Sequence, residues 1–180
     1  MLYEIASFLL DVAGGLITGA CLLRLYMQRR RAPFGNPVGQ MLFVFSDWLV
    51  LPLRKLVPAI GGWDTACLVG AVLAQLAQYL ALMLLLGSGF ALLPWLVVFG
   101  TVRVAVWGLM LLIILHAVLS WVPSRSPITG LLALLAEPLL APVRRLLPTM
   151  GGVDLSPLIV LVLLQVCLIV LGNLQRGALF

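Results

Sequence analysis

Basic and acidic residues recur in the same order at two places in this chain, 90 residues apart. At each place an arginine is followed directly by a second cation. Two adjacent glycines come later, and an aspartate stands ten positions after the arginine. Paired cations can bind an anionic headgroup or an acidic protein, whereas an aspartate after two glycines is typical of a helix N-cap. The pattern therefore supports two interpretations: a docking site, or topology signals combined with helix caps. Its members are Arg54, Lys55, Gly61, Gly62, Asp64, Arg144, Arg145, Gly151, Gly152 and Asp154.

A carboxylate, Asp47 or Glu137, lies seven residues before the arginine of each motif. Seven residues are about two helical turns, so acid and base share one face of a helix. The surrounding stretches contain too much proline and charge to span a membrane, yet they are too apolar for free loops. We therefore predict amphipathic helices in the membrane interface over about residues 38–57 and 128–147.

Several polar residues lie within apolar runs, where an unpaired polar group is costly, and the candidates among them are Asp11, Gln75, Arg103 and Gln165. Gln75 and Gln165 are equivalent under the 90-residue offset, and they either bond neighbouring helices or line an ion path. The same offset maps position 13 onto Arg103, so Asp11 is expected at a similar depth. Our hypothesis is that Asp11 and Arg103 pair, either fastening the two repeats together or marking a vestibule; the remaining alternative is that they make no contact.

No common catalytic or cofactor-binding pattern is found in the sequence. His116 is the single histidine, and the cysteines Cys21, Cys67 and Cys167 are widely scattered without a CxxC spacing. Such cysteines indicate structural, reduced thiols rather than a metal site. Without a nucleophile–base pair or a phosphate-binding loop, we expect neither enzymatic activity nor a cofactor.

The composition is that of a membrane protein: of 180 residues, 63% are hydrophobic and 9% charged. Apolar runs predict spans at about residues 5–26, 65–86, 102–121 and 155–174. The apolar stretch from residue 90 to 122 is too long for one span. We therefore divide it into an external interfacial piece and the third span.

The chain is predicted to be a tandem duplication, with units at residues 1–89 and 90–180. Residues 33–75 align without gaps onto residues 123–165, and the identical positions include proline, arginine, glycine, aspartate and glutamine. Each unit contributes two spans, so the repeats are parallel rather than inverted. The predicted fold is all-α, with four transmembrane helices as two parallel two-helix repeats, each with a cytoplasmic-side interfacial segment.

The net charge of +5 reflects basic residues beside apolar runs, which favours contacts with membrane lipid over direct contact with nucleic acid. The positive-inside rule makes the side with the long loops cytoplasmic and both termini periplasmic. The basic residues on that side are Arg29, Arg30, Arg31, Arg54, Lys55, Arg125, Arg144 and Arg145.

One segment resembles the signature of the YggT family of bacterial and plastid membrane proteins. The segment is EPLLAPVRRLLPTMGGVDLSPLIVLVLL at residues 137–164, preceded by LSWVPSRSP at residues 119–127. The stretch LPLRKLVPAIGGWD at residues 51–64 is similar to a second, looser copy. The first copy departs from the pattern at Trp48 and Cys67, where the second has prolines.

The resemblance implies an integral protein of the bacterial inner membrane without an established enzymatic activity. It associates bacterial members with osmotic-stress tolerance and cation uptake, and plastid members with cytochrome assembly and with division or nucleoid organisation. Four spans enclose little interior, which favours a homo-oligomer or a membrane protein complex. The predicted function is a non-catalytic scaffold or assembly factor whose basic cytoplasmic face docks lipid or a membrane complex. The alternative is an osmotic-response transport protein with an oligomeric cation path around Gln75, Gln165 and Asp11.

Overall fold

The computed structural model describes residues 2–59, 61–87, 90–121, 126–146 and 154–177. Within these ranges the chain forms six helices, in agreement with the all-α prediction. They are α1 (Leu2–Arg29), α2 (Pro37–Leu56), α3 (Thr65–Leu86), α4 (Leu93–Ser120), α5 (Pro127–Leu146) and α6 (Ser156–Gly177).

The two halves of the chain contain helices of the same lengths in the same order, namely 28, 20 and 22 residues. The middle helices α2 and α5 begin at residues 37 and 127 and end at residues 56 and 146, which is an offset of 90 at both ends. This offset equals that of the sequence alignment. The placement of the halves as parallel repeats in a membrane stays a prediction.

Equivalent caps begin the two middle helices. The side-chain oxygen of Asn36 accepts a hydrogen bond from the backbone N–H of Gly39 at 2.8 Å. Ser126 occupies the equivalent position, and its hydroxyl oxygen accepts from the backbone N–H of Ile128 at 3.3 Å. A proline follows each cap, where its missing N–H would have no helical partner.

The predicted division of residues 90–122 is wrong, because α4 runs without interruption from Leu93 to Ser120. Pro94 lies in the first turn, where it is compatible with a helix, and no further proline follows before the helix ends. Twenty-eight residues reach about 42 Å, compared with about 30 Å for a hydrocarbon core. The helix therefore tilts or extends beyond the core rather than dividing.

Five of the described helices, α1, α3, α4, α5 and α6, are long and apolar enough to cross a membrane. α2 is not among them, since it carries Asp47, Arg54 and Lys55. α5 has the required length and hydropathy, but it contains two internal prolines and ends on two arginines. The four-span arrangement, with α5 in the interface, accordingly stays a prediction.

α2 crosses α1 and α3 near one end of the helix bundle. Its buried Leu42 belongs to a cluster with Met27, and its Val50 to a cluster with Cys21 and Cys67. These partners lie in the last third of α1 or the first turn of α3. α2 therefore stays at that end rather than following the full length of the bundle.

α5 occupies a similar place in the second half and also joins the two halves. Its Leu140 clusters with Ile113 near the end of α4 and with Val160 near the start of α6. The hydroxyl of Tyr26 on α1 donates a hydrogen bond to the carbonyl oxygen of Leu135 at 2.8 Å. Both crossing helices therefore lie at the same end of the bundle.

Glycines allow α1, α3 and α4 to approach one another closely. A Cβ atom at position 100 of α4 would lie 2.3 Å from Oε1 of Gln75 and 2.6 Å from the ring of Tyr79. A Cβ at position 14 of α1 would lie 2.1 Å from Oε1 of Gln78. A side chain larger than hydrogen at either position would push these helices apart.

We expect Gly100→Ala to lower the stability of the protein by about 1–3 kcal/mol, because the added methyl group overlaps Gln75 and Tyr79. Gly108→Ala on the same helix is the matched control, since a Cβ there meets no atom within 4 Å. Thermal unfolding of the purified variants in mild detergent measures the difference. Equal melting temperatures for the two variants would contradict the close packing of α3 and α4.

Candidate functional site

The repeated motif forms an arginine–aspartate ion pair in each half of the chain. Nε of Arg54 donates to Oδ2 of Asp64 at 3.0 Å, and its Nη2 donates to the same oxygen. Nε of Arg144 donates to Oδ2 of Asp154 at 2.8 Å, and its Nη1 contacts Oε2 of Glu137 at 2.8 Å. Each pair connects the end of a crossing helix to the start of the next long helix.

The carboxyl groups of both aspartates have lowered pKa values. Burial by itself raises the pKa of Asp64, but hydrogen bonds, the strongest from Arg54, lower that pKa overall. Burial also acts upward on Asp154, where hydrogen bonds from Ser156 and Arg144 lower the pKa. Each pKa is therefore below its unfolded value, so the pairs stabilise the fold above the unfolded pKa. That stabilisation is lost as the pH falls through the folded pKa.

Only one of the two aspartates caps a helix through its side chain. Oδ1 of Asp154 accepts a hydrogen bond from the backbone N–H of Ser156 at 2.9 Å, as predicted. Asp64 occupies the N-cap position of α3, as predicted, but its side chain makes no cap hydrogen bond. The reason is competition: its carboxylate accepts from Arg54 and from the thiol of Cys67 at 3.3 Å.

The glycine pair before Asp64 makes the turn that the sequence predicts. Gly61 and Gly62 have φ angles of +62° and +80°, which side chains other than glycine rarely adopt. The chain can therefore reverse sharply between α2 and α3. The equivalent residues Gly151 and Gly152 lie outside the described residues.

A groove of about 400 Å³ lies beside the first ion pair. Arg54, Gln28, Trp63 and Asp64 line it, and the guanidinium of Arg29 lies over the Trp63 ring at 5.2 Å. The end of α1 therefore meets the turn before α3, which brings the basic residues after α1 to the same end as the ion pairs. We call this end the basic end, defined by Arg29, Arg30, Arg31, Arg54, Lys55, Arg144 and Arg145.

Within the repeated motif, one cation in each half is available for an external partner. Lys55 and Arg145 are exposed, and no ion pair joins either to another described residue. Their neighbours Arg54 and Arg144 are held by carboxylates. The motif therefore combines one structural and one free cation in each half. Arg125, which was also predicted on this side, lies outside the described residues.

Sequence analysis missed Arg24, whose side chain is only 3% exposed within the fold. Its Nη1 donates to Oγ of Ser46 at 2.7 Å and to Oδ1 of Asp47 at 2.6 Å. The guanidinium also lies 4.9 Å from the ring centre of Phe43, while Nε has no partner among the described residues. A lone cation inside a predicted span was the available signal, because it requires a nearby carboxylate.

A hydrogen-bonded chain of side chains joins α1 to α3 inside the apolar region. Nε2 of Gln75 donates to Thr18 at 3.2 Å and to Oε1 of Gln78 at 2.8 Å. Nε2 of Gln78 donates in turn to Oδ1 of Asp11 at 2.7 Å. Gln75 is 1% exposed and Thr18 fully buried, so this part of the chain is a closed contact between helices, whereas Asp11 at its end is exposed.

The predicted pairing of Asp11 with Arg103 is wrong. Asp11 bonds to Gln78, while Nη2 of Arg103 donates to the hydroxyl of Tyr79 at 2.7 Å. The 90-residue offset predicts that Val104 of α4 lies level with residue 14 of α1. In the structure Val104 lies beside residue 19 instead, since a Cβ there would be 3.8 Å from its side chain. Arg103 is consequently level with about residue 18, roughly 10 Å along the helix axis from Asp11.

Gln165 does not share the environment of its equivalent, Gln75. Gln165 is exposed and lines a groove between α4 and α6 together with Arg103. The difference follows from the neighbours: α3 lies against α1, α2 and α4, whereas the main contacts of α6 are with α4 and α5. The structure therefore separates the two glutamines that the sequence treats as equivalent.

The apolar helices together with the ion-paired basic end define an all-helical integral membrane protein. More particularly, the chain belongs to the CCB3/YggT family. The model of that family matches residues 3–85 and again residues 95–175. The family resemblance is thereby confirmed.

Bacterial relatives are similar along most of their length. The chain is 37% identical over 165 residues to the uncharacterised protein YggT of Escherichia coli strain K12, covering 89% of this chain and 85% of that protein. It is 36% identical over 180 residues to an uncharacterised protein of Pseudomonas aeruginosa, covering 94% and 89%. A Vibrio alginolyticus protein is 31% identical over 173 residues, covering 93% and 94%. No solved structure matches the chain.

We expect Asp154→Ala to destabilise the protein by about 1 kcal/mol more than Asp154→Asn. Asparagine keeps a side-chain oxygen that accepts from the Ser156 N–H, whereas alanine removes the cap. Both substitutions remove the charge that pairs with Arg144. Melting temperatures in detergent compare the two variants, and identical values would show that the cap contributes nothing.

We expect Asp47→Ala to cost about 3–5 kcal/mol, because it leaves the buried Arg24 guanidinium without a counter-charge. Arg24→Met should cost less, since the remaining Asp47 side chain is 39% exposed and can be hydrated. The double variant should be more stable than Asp47→Ala alone. Thermal unfolding of the three variants gives the order, and the reverse order for the single variants would refute the account.

Proposed function

We propose that this protein is a non-catalytic membrane scaffold or assembly factor whose basic end docks acidic lipid or a membrane complex. The proposal rests on one observation: in each half, one of two neighbouring cations is in an ion pair and the other is not. Arg54 and Arg144 are bound to aspartates, whereas Lys55 and Arg145 are exposed beside them. The ion pairs hold the turns in place, and the free cations remain available to an external anion.

The orientation follows from the same charges. The basic end carries most of the cations of the chain, so the positive-inside rule favours its placement at the cytoplasmic face of a bacterial inner membrane. Both termini are then periplasmic. The crossing helices α2 and α5 lie at this end, which suits amphipathic segments in the interface between lipid and cytoplasm.

A non-catalytic role is favoured by what the polar groups of the described helices do. The carboxylates at the basic end bind arginines, and the buried glutamines bind one another across α1 and α3. These contacts stabilise the fold. The thiol of Cys67, which donates to Asp64, is fully buried and therefore not accessible to a substrate. We therefore propose a binding protein rather than an enzyme.

The alternative of an osmotic-response cation path has less support. It requires Gln75, Gln165 and Asp11 to face one passage, but Gln75 is buried between helices while Gln165 faces the groove beside α6. A single chain therefore offers no common polar face for these three residues. A path would have to form between copies of the chain.

Neutralising the two free cations tests the docking proposal. The variant Lys55→Gln with Arg145→Gln should lose a co-purifying membrane partner, or bind vesicles containing acidic lipid about tenfold less, because two exposed charges are removed. Purification from native membranes in mild detergent followed by mass spectrometry measures the partner, and vesicle flotation measures the lipid.

The control is Arg176→Gln, which removes one charge from the last turn of α6, at the opposite end of the bundle. It should behave as the unmodified protein does. If the double variant keeps both its partners and its vesicle affinity while remaining abundant, the docking proposal fails. A homo-oligomer with no partner, and with ion flux in liposomes, would favour transport instead.

A further inference from the structure

The groove between α4 and α6 brings several polar side chains together in the apolar part of the bundle. It is a cavity of about 200 Å³. It lies away from the basic end, and the ion pairs there do not contribute to it. The residues on which the argument depends are Phe99, Arg103, Trp107, Gln165, Gly172 and Gln175.

Arg103 is the charged group of this groove and has only a neutral partner. Its guanidinium donates to the hydroxyl of Tyr79, and no carboxylate among the described residues forms an ion pair with it. The residue is exposed on a helix that is long and apolar enough to span a membrane. An unneutralised cation in that setting is unfavourable, and it therefore favours an anion in the groove.

The two amide side chains on α6 add hydrogen-bonding capacity that the fold leaves unused. Gln165 and Gln175 both line the groove, and within the described ranges neither has a protein hydrogen-bond partner. Hydrocarbon cannot satisfy amide groups. The two glutamines are ten residues apart on α6, about 15 Å along its axis, so only Gln175, near the end of the helix, lies level with a headgroup at the membrane surface. Gln175 and Arg103 then offer donors to the oxygen atoms of a phosphate group, while Gln165 lies deeper in the groove.

The depth of Arg103 allows a lipid headgroup to reach it. Arg103 is ten residues from the start of α4, or about 15 Å along the axis. A helix of about 42 Å centred on a core of about 30 Å extends about 6 Å beyond each side. Arg103 then begins about 9 Å inside the hydrocarbon, and its side chain points toward the helix N-terminus and the nearer surface.

The walls of the groove suit an amphiphile rather than a free ion. Phe99 and Trp107 flank Arg103 one turn away on each side, and Ile169 on α6 is an exposed apolar residue that also lines the groove. Acyl chains can lie along these residues while the headgroup meets the polar ones. A small hydrated anion would gain nothing from the apolar walls.

We propose that the groove between α4 and α6 binds the phosphate-bearing headgroup of one acidic phospholipid, at the end of the bundle opposite the basic end. Arg103 neutralises the phosphate, Gln175 donates hydrogen bonds to its oxygen atoms or to the headgroup, and the aromatic residues contact the acyl chains. This lipid would complete the surface of α6, whose main contacts are with α4 and α5 alone.

Native mass spectrometry of the detergent-purified protein tests this binding. Phosphatidylglycerol and phosphatidylcholine with identical acyl chains are added separately, and inorganic phosphate is added in a third series. We expect one phosphatidylglycerol molecule to bind about tenfold more tightly than phosphatidylcholine, with no comparable binding of inorganic phosphate. The series is measured on the Lys55→Gln, Arg145→Gln variant, whose basic end is weakened for acidic lipid, and adding Arg103→Gln should remove the remaining preference for the acidic lipid.

Two further variants distinguish the groove from general effects. Gly172→Leu should weaken the binding of both lipids while leaving Arg103 intact, because a Cβ at position 172 meets no atom within 4 Å and a larger side chain extends into the groove. Arg176→Gln is the charge-matched control and should bind as the unmodified protein does. Because every sample carries Lys55→Gln with Arg145→Gln, lipid bound at the basic end contributes little to the comparison, and failure here is distinguishable from failure of the docking proposal.

Several outcomes would overturn the inference. One is a preference for phosphatidylglycerol that persists in Arg103→Gln, or that disappears equally in Arg176→Gln. Another is inorganic phosphate binding as tightly as the lipid. A third is a lipid-free dimer that dissociates on Arg103→Gln, which would identify a second copy of the chain as the occupant of the groove.

Discussion

Pairing between arginine and carboxylate connects the crossing helices to the long helices beneath them. Asp47 of α2 binds Arg24 of α1, and Arg54 of α2 binds Asp64 at the start of α3. The second half repeats the latter contact through Arg144 and Asp154. A guanidinium removed from bulk water needs an anion. The positions of α2 and α5 at one end of the bundle are consistent with this requirement. The cations beside them, Lys55 and Arg145, are exposed to solvent and do not need such a partner.

The two halves share a plan but differ in how they use it. In the first half Asp47 has a buried cation on α1, while in the second half the equivalent Glu137 bonds to Arg144 on its own helix. The thiol of Cys67 donates a hydrogen bond to the Asp64 carboxylate, whereas the Asp154 carboxylate accepts from the backbone N–H of Ser156 and caps α6. The first half is thus the more tightly closed, and the second leaves its last helix exposed to the surroundings.

The difference in packing between the two halves determines where the candidate binding surfaces lie. α3 is held by α1, α2 and α4, so its polar residues are consumed in contacts between helices. α6 has fewer neighbours, so Gln165 and Gln175 remain available along the groove with Arg103. Cations at the basic end and donors in this groove are therefore at opposite ends of one molecule, and each set suits a different anionic contact.

Much of the architecture was readable from the sequence, because apolar runs, prolines and glycines act locally. The helical class, the equivalent middle helices and the turn at Gly61 and Gly62 all follow from residues close together in the chain. Sequence analysis divided α4 wrongly, because the apolar stretch was longer than a hydrocarbon core and only its continuity in the structure shows that the helix is not broken.

The sequence by itself determined the membrane character, the repeated motif and the family. The tertiary structure decided which partner each polar group has: Arg24 with Asp47, Asp11 with Gln78, and Arg103 with Tyr79. The physical reason is that the repeat offset fixes spacing along the chain, but not the axial shift between helices. Gly19 and Val104 face each other in the packed helices, and that shift separates Asp11 from Arg103.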